Sequence, residues 1–268
     1  MSFKLVSLQE KAGSFVDFAS SKYWNDESIE KEKVFNVIDL GFDKIENSEK
    51  YKALLDSIIK VMIAHDVNVQ DSNILSLASG SCWVESQIFK KNDFKSLTNV
   101  DISHHRIHKL APYTMSHYGV NKNVNFMHGS VFDMDPSESK YDIIFMSQAF
   151  HHIEEPIRLL RALKKMLNDN GVIVIVGEHF FSNFIYHKRA LRHFIKYLIN
   201  WRDYRKLNNF YPSWQDLFQP DYDKGDIHWS LSEYNFIFRK SGFPSYRREV
   251  HSSNLFQSFV VKNNENHD

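Results

Sequence analysis

At 268 residues the chain has the length for one large domain with attached segments and a substantial core. Lys plus Arg and Asp plus Glu each total 33, so no global field gathers nucleic acid, and none is expected as a partner. Cys82 is the single cysteine, which excludes an internal disulfide and a cysteine-based zinc site.

The opening MSFKLVSLQEKAGS lacks the continuous apolar core of a signal peptide, and no later run approaches bilayer-spanning length. A soluble, cytoplasmic protein without a transmembrane segment is expected. Residues 1–70 read as a helical cap, because Tyr51, Leu54, Leu55, Ile58, Ile59 and Met62 recur three and four apart. Residues 71–180 then carry five short apolar runs, NILSLA, LTNVDI, NVNFMHG, YDIIFMS and GVIVIVGE, separated by segments long enough for crossover helices. That alternation is the mark of a parallel sheet covered on both faces. Before the fifth run, Ile157, Leu160, Leu163 and Leu167 keep helical spacing, and Asn168-Asp169-Asn170-Gly171 reads as the turn that ends the helix.

Residues 181–229 read as an insertion, too long and too basic for a buried crossover. Within it, 185–206 form a basic amphipathic pattern with Leu191, Phe194, Ile195 and Leu198 on one side. A lid over the site, with contact to an acidic substrate as a second role, is the first reading, and peripheral contact with an anionic membrane surface or with a phosphate-bearing or acidic acceptor is the other. Residues 230–262 then read as a helix stopped at Gly242 and two strands turning at Ser252-Ser253-Asn254, an antiparallel hairpin that completes the core. The tail 263–268 is expected to be disordered. The expected fold is thus α/β, a doubly wound sheet, mostly parallel with a C-terminal antiparallel hairpin, plus helical N-terminal and lid segments.

In such a sheet, ligands sit beyond the carboxyl ends of the strands, where strand order reverses. Gly80, in LASGS, suits a turn that a ligand approaches closely, and Ala78, Ser79 and Ser81 beside it are small. Asp101 ends the second run about 20 residues later, the separation at which an acid receives both hydroxyls of a ribose. A plain turn at Gly80 and a helix cap at Asp101-Ile102-Ser103 explain either motif alone. Their combination points to a nucleoside-containing cofactor.

The series ILSLASGS, NVDIS, NVNFMHGSVFDMD, YDIIFMSQAFHHIEEPIRLLRALKKMLNDNGVIVIVGEHF and LSEYNFIFRKSGF resembles class I S-adenosylmethionine-dependent methyltransferases of the small-molecule type, with their Rossmann-like core. The resemblance covers residues 73–180 and 230–261. It implies S-adenosylmethionine as cofactor and S-adenosylhomocysteine as product. The implied cofactor contacts are Ala78, Ser79, Gly80, Asp101, Ile102, Ser103, Gly129, Ser130, Val131, Ser147 and Gln148. Departures are Ser76 in place of the usual first-strand acid, Ala78 and Cys82 in place of glycines, and Ser130 in place of an adenine-side acid. A negative φ at Ala78 would leave its methyl room.

The resemblance also places the reacting methyl above Ser147, Gln148, His151 and His152. His151 and His152 are candidate bases, and Glu178-His179 at the next strand end could orient or deprotonate an acceptor. A helix cap, loop packing or a surface turn is the plain alternative for each. Tyr23, Trp24, His228 and Trp229 are candidate acceptor-site residues, with core packing as their alternative. Asp226 and His228, with Glu178 and the histidine pair, lack a diagnostic metal-ligand spacing, so no metal is expected. The expected activity is methyl transfer to a hydroxyl or amine of a small molecule, a sugar or surface-glycan precursor being favoured. The alternatives are a methyltransferase-like binding module without transfer and a nicotinamide-dependent oxidoreductase. No motif fixes the oligomeric state.

Overall fold

The computed structural model describes residues 4–7, 41–90, 93–135, 139–179, 191, 227, 229–250 and 256–262. Eight strands form one sheet: β1 (Lys4–Ser7), β2 (Asn73–Leu77), β3 (Ser96–Asp101), β4 (Val124–His128), β5 (Tyr141–Ser147), β6 (Leu167–His179), β7 (Tyr246–Val250) and β8 (Phe256–Lys262). Their order is β1-β4-β3-β2-β5-β6-β8-β7. All neighbours run parallel until β8, which is antiparallel to both β6 and β7. The expected doubly wound sheet with its closing hairpin is therefore present. Strand order reverses beside β2, since β3 and β4 lie on one side of it and β5 and β6 on the other.

Why these runs become central strands follows from their two-residue period. In β2, Ile74 faces one core while Leu75 and Leu77 face the other. β5 does the same with Ile143 and Phe145 against Ile144 and Met146, and β6 with Val174 and Val176 against Ile173 and Ile175. A strand apolar on both faces must be covered on both faces. One cover is α2 (Glu49–Ala64), through Leu54, Ile58, Val61 and Met62, together with α3 (Trp83–Phe89) and α4 (Ala111–His117). A short α1 (Phe42–Glu46) precedes α2 and stacks Phe42 on His117.

The opposite cover is α5 (Pro156–Met166) and α6 (Leu231–Lys240), through Leu159, Leu160, Leu163, Tyr234, Ile237 and Phe238. Each such side chain contributes roughly 2 kcal/mol on burial, more than the local propensities at stake. α6 starts at a capping box: Ser230 Oγ accepts from the Glu233 N–H, and the Glu233 carboxylate accepts from the Ser230 N–H. Its last carbonyls are met from α5, where the Arg161 guanidinium donates to Lys240 O and the Lys164 ammonium to Gly242 O.

Two expectations are revised. The N-terminal segment supplies an edge strand, β1, paired parallel to β4 from Lys4↔Asn125 to Ser7↔His128. The expected turn at 168–171 lies within the span of β6, where pairing jumps from Tyr141↔Leu167 to Ile143↔Val172. Asn168 there donates from Nδ2 to the Asp142 carboxylate, and the β6 side carries three more residues than the β5 side between those pairs, an irregularity of the ladder. The helix preceding it, the Gly242 stop and both hairpin strands lie where the spacing predicts. The lid, the hairpin turn and the tail lie outside the described residues. Among the described residues no helix is long and apolar enough to cross a membrane.

One irregularity in β6 positions functional groups. Between Ile175↔Phe259 and Glu178↔Gln257 the β6 side has one residue more than β8, a bulge centred on Val176-Gly177. Gly177 has φ of 72°, and a Cβ there would lie 2.8 Å from Gln148 Cγ and 2.9 Å from Leu54 Cδ1. We predict that Gly177→Ala lowers unfolding free energy by roughly 2 kcal/mol or more, read from urea denaturation. An unchanged midpoint would show that the bulge tolerates a side chain.

Candidate active site

The carboxyl ends of β2, β3, β4 and β5 open onto one cleft lined by residues from all four strand ends. β2 gives it Leu77 and Ala78, and β3 gives Val100, Asp101 and Ile102. The chain after β4 adds Gly129, Ser130, Val131 and Phe132; the chain at and after the end of β5 adds Met146, Gln148, Ala149, His152 and Ile153. Arg106 closes one side, from a π-helical turn (Arg106–Leu110) leading into α4.

Asp101 joins these pieces. Its Oδ2 accepts from Gly80 N–H at 2.7 Å and its Oδ1 from Ser103 N–H at 2.8 Å, while its carbonyl accepts from Gly129 N–H at 3.0 Å. Each carboxylate oxygen can accept twice, so one further acceptor direction remains on each. Burial pushes the Asp101 carboxyl above its ordinary value, against the pull of the Arg106 guanidinium and of the Ser103 and Gly80 N–H groups.

The glycine turn is wound more tightly than its sequence suggests. Ala78, Gly80 and Cys82 all have positive φ, of 51°, 53° and 57°. The negative φ under which the Ala78 methyl would have room is not what the backbone adopts, and the left-handed conformation costs roughly 1–2 kcal/mol for each residue with a Cβ. Cys82 is wholly buried and packs in the apolar core, as a small apolar residue does. A Cβ on Gly80 would meet only Arg106 Nη1, at 3.6 Å. Glycine at position 80 thus relieves backbone strain through its φ and is not needed for space. Ser130 caps the following 3₁₀ turn (Val131–Asp133) by accepting from Phe132 N–H at 3.2 Å.

At the end of β5, Gln148 also has positive φ, 51°, and its N–H donates to Val176 O at 2.8 Å, over Gly177. The bulge turns Glu178 inward, where it is 0% exposed. Glu178 Oε1 accepts from the Ala149 and Phe150 N–H groups at 3.2 and 3.1 Å. Its Oε2 accepts from His151 Nδ1 at 3.0 Å and from the Tyr234 hydroxyl at 3.4 Å. Burial opposes ionisation of Glu178, but His151, and then His179 and the Phe150 N–H, outweigh it and hold the carboxyl below its ordinary value. The rings pack against one another at tilted angles of 49° and 52°, His151 lying 4.1 Å from His152 and 4.7 Å from His179 between centroids. His152 lines the cleft and His151 stands behind it, buried.

The predicted residues thus fall into three groups. Ala78, Asp101, Ile102, Gly129, Ser130, Val131, Gln148 and His152 share the cleft wall, with Ser79, Gly80, Ser103 and Ser147 in the turns beside it. His151, Glu178 and His179 form the network behind. Trp229 is half-buried against the core of α5 and α6, the packing alternative, while Tyr23, Trp24 and His228 lie outside the described residues. Sequence reasoning missed Arg106, Tyr234 and Glu85. Arg106 had a signal, since it follows Ser103 by three and its N–H is met by Ser103 Oγ at 3.4 Å, a helix-start pattern that aims the first turn at the acid. Among the described residues no group of His, Cys, Asp and Glu has the geometry to hold a metal ion.

The family profile described as "Methyltransferase domain" matches residues 45–243, well over half of the chain. Among solved structures, a candidate O-methyltransferase of Nostoc punctiforme aligns with a TM-score of 0.54 at 16% identity, over 80% of this chain and 58% of that one. This chain therefore spans a little over half of the Nostoc protein. Magnesium protoporphyrin IX methyltransferase of Synechocystis, with bound S-adenosylhomocysteine, aligns at 0.52 and 13%, over 88% of this chain and 98% of that one. A SAM-dependent methyltransferase of Aquifex aeolicus aligns at 0.52 and 15%, over 82% and 97%. These likenesses are of fold.

A carboxyl held below its unfolded value contributes stability that is present above that value and is lost as pH falls through the folded one. We predict that Glu178→Gln costs roughly 2–4 kcal/mol at neutral pH. The deficit relative to wild type should shrink as pH falls below 4.5, the ordinary value. Urea denaturation across a pH series measures both, and a deficit constant down to pH 3 would refute the ionised assignment.

Proposed function

The chain belongs to the methyltransferase-domain family, and on that premise we propose that it transfers a methyl group to a hydroxyl or amine of a small molecule, with a sugar or surface-glycan precursor as the favoured acceptor. S-adenosylmethionine is its cofactor. The residues of the cleft suit that molecule. Asp101 retains two acceptor directions for a ribose, Ile102 and Val131 give apolar walls, and Ser147 Oγ is buried without a partner among the described residues. The cofactor supplies an electrophilic methyl group on a sulfonium sulfur.

The protein's share is alignment and proton removal. In this reading Asp101 and the turn at 78–80 fix the nucleoside end, and Gln148, held left-handed over Gly177, borders the reacting end. His152 takes the acceptor's proton at Nε2. His151 and Glu178 are positioning residues: the Glu178 carboxylate fixes the Nδ1–H tautomer of His151, and the His151 ring restrains His152 by tilted ring-to-ring contact. The observation that carries this reading is the buried His151–Glu178 pair, 3.0 Å apart, directly behind a cleft-lining histidine. The sugar-type acceptor rests on the aromatic-rich sequence FYPSWQDLFQPDYDKGDIHWSLSEY.

A second reading, binding without transfer, is favoured by one observation, the left-handed Ala78 and Cys82 in a turn otherwise served by glycine. Calorimetric titration and a radiolabelled methyl assay over an acceptor panel separate the two. We predict that both sulfur cofactors bind, and that Asp101→Asn weakens them roughly 10- to 100-fold by replacing a charged acceptor. His152→Ala should lower kcat far more than cofactor affinity, with a loss on the order of 100-fold. Full turnover in His152→Ala would remove it as the base, and binding without any labelled product would favour the second reading.

A further inference from the structure

One buried carboxyl group takes no part in the chemistry above. Glu85, in the first turn of α3, is 1% exposed, and its Oε1 accepts a 2.7 Å hydrogen bond from Ser76 Oγ, itself 0% exposed. This bond ties the end of β2 to the start of α3 and closes a ring around the cofactor turn. Leu77 and Ala78 within that ring line the cleft. We propose that Glu85 is a positioning residue of the cofactor turn whose negative charge favours the sulfonium cofactor over its uncharged thioether product. The inference rests on reading the cleft as the S-adenosylmethionine site.

The cluster is built for such a role. The turn has two ties, Asp101 to Gly80 N–H above and Ser76 to Glu85 below, and Cys82 N–H donates to Ser79 O at 2.8 Å between them. The groups acting on Glu85 are Ser76 from β2, the Cys82 thiol from the turn and Asp101 from β3, with the Arg106 guanidinium acting on Asp101. α2 meets this part of the molecule through a neutral ring, Tyr51 against Trp83, and the residue after α4, Tyr118, lies beneath the Lys90 ammonium at the far end of α3. Among the described residues, then, no cation is paired with Glu85. Burial first, with Asp101 adding and the Ser76 hydrogen bond opposing, raises its carboxyl to about 7. The group is therefore poised between neutral and charged where proteins work.

A positive charge arriving in the cleft supplies the missing counter-ion. It stabilises the ionised form, so binding of the sulfonium lowers the value for Glu85 and expels its proton, whereas the thioether carries no such charge. Linkage fixes the sign. The preference for cofactor over product must rise as pH climbs through the region of 7, because above it no proton has to be displaced. After methyl transfer the charge is gone, Glu85 regains its proton, and the product is held less firmly.

Calorimetric titration of the full chain with S-adenosylmethionine and with S-adenosylhomocysteine, between about pH 6 and about pH 8, tests this. The affinity ratio in the wild type should rise about threefold or more relative to Glu85→Gln, which keeps an acceptor for Ser76 Oγ. The ligand's own amino group titrates in both proteins alike, so the difference between them is the readout. Proton release on binding the sulfonium, seen as a heat difference between buffers of unlike ionisation enthalpy, should exceed that of the variant. Ser76→Ala, which removes a donor to the ionised carboxylate, should move the rise to higher pH. Equal pH dependence of the ratio in wild type and Glu85→Gln overturns the inference. Should Glu85→Gln fail to fold, a midpoint unmoved by Ser76→Ala overturns it instead. Binding of neither ligand at any pH overturns the reading of the cleft and this inference with it.

Discussion

The carboxylate of Asp101 is the joint on which the cleft depends. It sits at the end of β3 and holds N–H groups from the turn after β2 and from the start of the next helix, while its own carbonyl holds the chain leaving β4. Magnitudes show why one residue suffices. A hydrogen bond to a charged group is worth roughly 1.5–3 kcal/mol, while a left-handed residue with a Cβ costs roughly 1–2. Two such bonds, with Ser76 and Glu85 adding a third tie, offset the strain at Ala78 and Cys82. The turn is thus held by tertiary contacts.

The far side of the cleft solves the opposite problem. There an ionised carboxylate is placed where water cannot reach it, a situation tolerable only with full hydrogen bonding. Glu178 has four donors from two segments, residues 149–151 and Tyr234, and the bulge at Gly177 is what turns it toward them. Rigidity follows from this. Any rotation of His151 strips a buried charge of a partner, so the histidine cluster is held as firmly as the core around it.

Much of this was legible in the chain itself. Strands such as NILSL and YDIIFMS are apolar on alternate residues to both sides, and only a sheet covered on both faces uses that pattern. Gly80 and Asp101 announced their relation by their spacing, and the histidine pair and Glu178 fell at consecutive strand ends. Other features were illegible for a physical reason. The hand of the backbone at Ala78 is decided by a hydrogen bond to a residue 21 positions beyond Gly80. Glu85 reads locally as an acid on a short helix, hence as surface, and its burial depends on Ser76 across the turn. β1 is four residues long, too short for any period to emerge. The turn expected at 168–171 lies within the span of β6 as a register irregularity, which depends on pairing with β5 and not on local sequence.

That edge strand carries a consequence for how the molecule is assembled. Residues 4–7 lie against 125–128, so among the described residues β1 has no partner until β4 has been made. β2, β3 and β4 can pair in the order in which they leave the ribosome, each finding its neighbour within a short stretch of newly made chain. β1 cannot, because closing a loop of that length carries an entropic cost that only a preformed edge repays. It is therefore expected to join last, docking onto a sheet already built. The order of synthesis and the order of assembly run in opposite directions at this one edge of the molecule.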